Sequence, residues 1–122
     1  MMNQKIRQKA TPEFEFEENE ISITGNAISE FPLASWGEFI EDLNRILKEV
    51  KELTIHIRLN IVNSSNSKFM SKIFYDLDVH RVTCVTTIKW YHHINDEDMQ
   101  FLAEFYVGMY HKLKFEIIPF ND

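Results

Sequence analysis

Residues 53–59 read Leu53-Thr54-Ile55-His56-Ile57-Arg58-Leu59, and residues 63–68 read Asn63-Ser64-Ser65-Asn66-Ser67-Lys68. In the first stretch Leu53, Ile55, Ile57 and Leu59 alternate with Thr54, His56 and Arg58, the two-residue period of a strand with one buried face. Beyond the second, Phe69, Met70, Ile73, Phe74 and Leu77 recur at helical spacing. A strand over about 53–60 therefore leads through a hydroxyl-rich turn into a helix over about 66–77. A strand followed at once by a helix implies a crossover to a parallel neighbour.

The same alternation of elements extends both ways. Phe14 and Phe16, then Ile21 and Ile23, flank the polar run Glu17-Glu18-Asn19-Glu20 and read as a hairpin that Gly25 and Asn26 end. Ser35 with Glu38 three residues on fits a capping box. Trp36, Phe39, Ile40, Leu43, Ile46, Leu47 and Val50 then make one apolar stripe, a helix over about 36–50. Val82, Cys84, Thr86, Ile88 and Trp90 form one face of a further strand. Asn95-Asp96-Glu97-Asp98 suits the acidic start of a third helix through Met99, Leu102, Ala103, Phe105 and Tyr106. Leu113, Phe115 and Ile117 make a last strand that Pro119 ends. The order is β-β-α-β-α-β-α-β. Strands buried on both faces would be almost wholly apolar. These alternate, so the expected fold is α/β: a single domain with a mixed sheet of about five strands and helices mainly on one face.

Composition narrows the function classes. The chain has 122 residues, 44% hydrophobic, enough for one domain with its own core. Acidic residues outnumber Lys and Arg by 19 to 13, with no basic face, which speaks against nucleic acid and anionic membrane as partners. A single cysteine, Cys84, fits a reducing compartment, and the polar start is not a signal peptide, so a cytoplasmic location is expected. Residues 1–10 read as a flexible arm and residues 11–122 as the domain. There is no Gly-rich phosphate loop, no G-x-S-x-G elbow and no H-E-x-x-H helix. Neither an enzyme nor a cofactor is expected.

Several residues admit two readings. Ser64, Ser65, Asn66 and Ser67 suit a helix cap. They also place hydroxyls beside a helix N-terminus, which favours added negative charge. Lys68 is either a solvated cation or a counter-charge to Ser64, four residues away. His92, His93, Asp96 and Asp98 could be metal ligands. But adjacent strand residues point apart, and no metal site is expected; a partner-facing rim of His92, His93 and Asp96 is the better reading. Cys84, Trp36 and Trp90 read as core. His56 and Arg58 read as either a docking surface or a solvated strand face.

Chain-wide landmarks add a resemblance. Thr11-Pro12 before Phe14 and Phe16, Gly25 followed by Glu30, the segment 63–68, Lys89-Trp90-Tyr91-His92 and the acidic turn 95–98 resemble the SiaC family of bacterial regulatory phosphoproteins. That family has a fold like the STAS domains of anti-sigma factor antagonists. Ser29 stands where the family has proline, and Ile61-Val62 where it has an aromatic residue. The resemblance implies a phosphorylation site at Ser64, where the family has threonine. Asn63, Ser65, Asn66, Ser67 and Lys68 would form the switch loop and partner surface. It also implies a protein kinase, a PP2C-type phosphatase and an effector such as a diguanylate cyclase, in c-di-GMP signalling and biofilm control. The alternatives are an anti-sigma factor antagonist in a partner-switching module and, less favoured, a small metal-dependent hydrolase using His92, His93 and Asp96.

Overall fold

The computed structural model describes residues 9–121. The arm read over residues 1–10 lies mostly outside this range. Its last two residues are held: Ala10 O accepts from Ile28 N at 2.9 Å, and Lys9 O accepts from Asn26 Nδ2 at 3.3 Å.

Eight elements follow in the expected order: β1 (Glu13–Glu17), β2 (Glu20–Ala27), α1 (Pro32–Leu47), β3 (Glu52–Val62), α2 (Ser64–Val79), β4 (Val85–His93), α3 (Glu97–Met109) and β5 (Lys114–Phe120). The sheet order is β1-β2-β3-β4-β5, antiparallel between β1 and β2 and parallel elsewhere. Each parallel step moves one strand in the same direction. Right-handed crossovers in such an order put all three helices on one face. The mixed sheet with helices on one face, expected from the alternating strands, is what the structure shows.

The covered face is built from the apolar half of each alternation. Ile21 and Ile23, Leu53, Ile55, Ile57 and Leu59, and Ile88 and Trp90 are all at most 3% exposed. Phe14 of β1 stacks on Phe39 of α1 (4.4 Å between centroids) and meets Trp36 edge-on (5.2 Å), so the hairpin closes over α1. The open face is polar and largely self-paired. His56 lies 2.6 Å from Glu20 Oε1 through Nε2 and 2.9 Å from Tyr91 Oη through Nδ1. The Arg58 guanidinium lies 4.0 Å over the Phe120 ring.

Four boundaries differ from the sequence reading. Helix α1 starts at Pro32, and Phe31, with no side-chain bond, is its N-cap. Proline suits the first helical position because its missing N–H would lack a partner there anyway. Ser35 is therefore not a cap; its hydroxyl donates to Pro32 O at 3.2 Å. Gly25 and Asn26 do not end β2. Gly25 takes φ 101°, and the pairing skips Asn60 at that point, a bulge that lets β2 run to Ala27. Val82 is 83% exposed in the turn after α2 and outside β4. Pro119 lies inside β5, across from His92, where an edge strand tolerates the missing donor.

Cys84 is fully buried, as expected. Burial pushes its thiol up from the usual value near 9.0, a nearby Thr86 hydroxyl offsetting part of this. The folded thiol stays protonated where the unfolded one has ionised, so stability falls as pH climbs past the unfolded value. Tyr106, also raised by burial, acts with the same sign from about 10.0 upward. Denaturant midpoints measured across that alkaline range should decline, and more shallowly for Cys84→Ala. A flat profile in the parent protein would contradict the burial of both groups. No helix of the described residues is long and apolar enough to cross a membrane.

Candidate functional site

The loop between β3 and α2 is held by one buried side chain. Asn66 has no exposed surface. Its Oδ1 accepts from the Trp36 indole Nε1 at 2.9 Å, and its Nδ2 donates to Ser29 O at 3.2 Å and to Asn63 Oδ1 at 2.7 Å. Asn63 caps α2, its Oδ1 also accepting from Asn66 N at 3.0 Å. Backbone bonds complete the hold: Asn63 N donates to Ala27 O at 3.1 Å, and Ser67 N to Asn63 O at 3.0 Å. The segment thus reaches β2, the loop before α1, and α1 itself. A buried indole N–H gains from an acceptor, and for Trp36 Asn66 supplies it.

This frame separates the three serines. Ser67 is committed: its hydroxyl donates to Ser64 O at 2.9 Å, and its carbonyl accepts from the Tyr106 hydroxyl of α3 at 3.1 Å. Ser64 and Ser65 are exposed at the first two positions of α2, and their hydroxyls make no hydrogen bond among the described residues. The first backbone N–H groups of a helix have no intrahelical acceptor, and the dipole adds to their partial positive charge. Lys68 is exposed one turn on and has no ion pair among the described residues. The loop sits at the carboxyl edge of the parallel strands. Exposed apolar side chains stand near that edge: Phe31 at 76%, Leu33 at 70%, Ile94 at 47% and Phe101 at 62%. None of these four was singled out in the sequence. Their signal there is apolar residues in excess of what one helix face or strand face can bury.

The second cluster divides. His92 is only 5% exposed and turned to the covered face, its ring nitrogen Nδ1 2.8 Å from His93 O. It does not belong to a partner-facing rim, and burial is the physical reason. His93 faces the other way, accepting from Asn95 N at 3.1 Å and packing edge-on against Phe120. Asp96 caps α3 by accepting from Met99 N at 3.1 Å. Among the described residues no three His, Cys, Asp or Glu side chains come together as metal ligands.

Comparison with known proteins follows the same lines. The model of the SiaC family regulatory phosphoproteins matches residues 5–120. The chain belongs to the SiaC family. No curated protein matches it. Among solved structures it is similar to the activator SiaC bound to the diguanylate cyclase SiaD from Pseudomonas aeruginosa, with a TM-score of 0.83 and 22% identity over 90% of this chain and 93% of that one. It is also similar to apo-SiaC from the same organism, with a TM-score of 0.78 and 22% identity over 88% of this chain and 90% of that one. At this identity the structures show a shared fold. The family match shows that this is a regulatory phosphoprotein of the SiaC type.

Proposed function

We propose that this SiaC-family protein is a non-enzymatic binding module switched by phosphorylation at Ser64. The unmodified form binds and controls an effector, with a diguanylate cyclase as the leading candidate, since the P. aeruginosa protein of the same fold is the activator of one. A protein kinase adds the phosphate and a PP2C-type phosphatase removes it, in the cytoplasm. The observation that carries this reading is the contrast within one loop: a backbone pinned through buried Asn66, and a Ser64 hydroxyl left exposed and unengaged beside apolar surface.

The physics of the position suits a switch that changes binding and leaves the fold intact. Phosphate brings about −1.5 to −2 charge and three acceptor oxygens. At the first position of α2 that charge meets free N–H groups, the positive end of the dipole and Lys68. Ser64→Asp should therefore leave stability unchanged or raise it by about 0.5 kcal/mol. Mass-spectrometric mapping after incubation with the protein's own kinase should place the phosphate on Ser64. Phosphate confined to sites outside residues 63–68 would rule the switch out.

A further inference from the structure

One row of paired residues crosses the sheet where its parallel strands begin: Glu17, Glu20, Thr54, Thr87 and Lys114. It starts acidic and ends basic. Four steps of about 4.8 Å set its ends about 19 Å apart. Each end opens into a cavity. One, of about 590 Å³, is lined by Glu15, Glu17, Glu18 and Glu20 beside His56, and by no Lys or Arg among the described residues. The other, of about 350 Å³, is lined by Arg81, Lys112 and Lys114 around Val82 and Val85, and by no carboxylate among the described residues. The two therefore carry opposite charge at opposite edges of one end of the sheet.

Local needs account for only part of this pattern. Arg81 and Lys112 follow the C-termini of α2 and α3, where cations are favoured. Asp78 takes part of the Arg81 charge, Oδ1 lying 3.4 Å from Nη1. Glu52 stands beside Val85 in the register, and Glu116 two residues beyond Lys114. Lys112 and Lys114 are nevertheless exposed with no ion pair among the described residues. Val82, 83% exposed, and Val85, 40% exposed, lie open between the cations. At the acidic end Glu20 is engaged by His56 at 2.6 Å, while Glu15, Glu17 and Glu18 are exposed with no ion pair among the described residues. Glu18 forms the hairpin tip at φ 48°, a conformation that glycine or asparagine takes at lower cost. Asn19 O accepts from Thr54 N at 2.9 Å, which fixes the tip against β3.

We infer that the basic cavity seats the acidic hairpin tip of a second copy of this chain, in a dimer joined at the amino edges of the two sheets. A two-fold axis normal to the sheet near the start of β3 brings each hairpin to the other copy's cavity, so both contacts form together. Lys51 and Glu52, exposed near that axis, meet their own copies as neighbours of opposite sign. Packing the open faces together is disfavoured. The next row reads Glu15, Ser22, His56, Lys89 and Glu116, so it would set Glu15 against Glu116. The net charge of −6 repels a second copy at long range. At about 0.15 M salt the Debye length of about 8 Å screens that repulsion more than it weakens charges in contact. Ser64 lies at the opposite, carboxyl edge, so the dimer is independent of the switch.

Sedimentation equilibrium of the whole chain tests this. At about 0.15 M salt it should show a reversible dimer that is lost at about 1 M, where the Debye length falls to about 3 Å. Glu17→Lys with Glu18→Lys makes one variant, and Lys112→Glu with Lys114→Glu a second. Each alone should dimerise about tenfold more weakly or worse, since like charges then meet across the contact. Mixed in equal amounts, the two should associate as tightly as the parent, because the mixed pair has opposite charges in both contacts. Glu18→Gly relieves the left-handed backbone, so it should melt no lower than the parent and still weaken the dimer. Ser64→Asp should leave association unchanged. A parent chain that stays monomeric at every concentration would overturn the inference. So would a dimer that ignores both charge reversals, or reversed variants that fail to associate on mixing.

Discussion

Asn66→Leu is expected to lower unfolding free energy by about 2–4 kcal/mol, an unusually large effect for a residue in a connecting loop. Leucine is close to asparagine in size but removes every polar contact. The Trp36 indole N–H, itself fully buried, loses its acceptor, and Ser29 O and Asn63 Oδ1 lose a donor. An unsatisfied buried polar group costs about 1–3 kcal/mol, more than the bond contributes when made. Trp90 supplies the control. It is equally buried, but its Nε1 has no acceptor among the described residues. Trp36→Phe and Trp90→Phe remove similar volume, yet only the first orphans a partner. Urea denaturation of the two should therefore separate them by about 1 kcal/mol or more, with Trp36→Phe the worse. In a double-mutant cycle, Trp36→Phe and Asn66→Leu together should cost less than the sum of the single changes. Equal losses and strict additivity would mean that the loop is not held through this bond.

Ser64→Asp should weaken effector binding by about 100-fold, or roughly 2.7 kcal/mol, while Ser64→Ala binds like the parent. The two variants are a matched pair. Both lose the hydroxyl, and only one gains charge. Alanine at an exposed first helical position, where the cap is Asn63 and not Ser64, leaves the loop bonds untouched. A carboxylate carries less charge than a phosphate, so the aspartate effect is a lower bound on the phosphorylated state. Titration of the effector with each variant measures it. Equal affinities for Ala and Asp would show that charge at this position does not control binding. Ser65→Asp offers a further contrast, since Ser65 is equally exposed but turned toward α1, and it should do less.

Much of this was legible in the chain. The alternation in residues 53–59 and the helical spacing after Lys68 were enough to place β3, α2 and the turn between them. The mixed sheet followed from strands too polar to be buried on both faces. What the local pattern hid was of two kinds. Boundaries failed where one signal outranked another: Ser35 with Glu38 resembles a capping box, but Pro32 already begins the helix. Gly25 looks like a stop, yet a bulge opposite it lets the strand go on. The second kind is long-range. The bond between Trp36 and Asn66 spans 30 residues, and no periodicity announces it. Read alone, Trp36 is one more apolar position in a stripe. Only the fold shows that its N–H holds the switch loop. His92 illustrates the reverse: it looks like half of a histidine pair, but the strand's pleat turns it inward, away from any partner. The landmark resemblance singled out Ser64, and the geometry adds what the resemblance lacked. The Ser67 hydroxyl is engaged, Ser65 is turned about 100° away toward α1, and the Ser64 hydroxyl is exposed with no hydrogen bond among the described residues.

The most direct measurement is the affinity of the effector for this protein carrying one phosphate on Ser64, set against the unmodified protein in the same titration. A loss of affinity of about 100-fold or more, restored when a PP2C-type phosphatase removes the phosphate, is the expected result. Unchanged or tighter binding by the Ser64-phosphorylated form would contradict the switch.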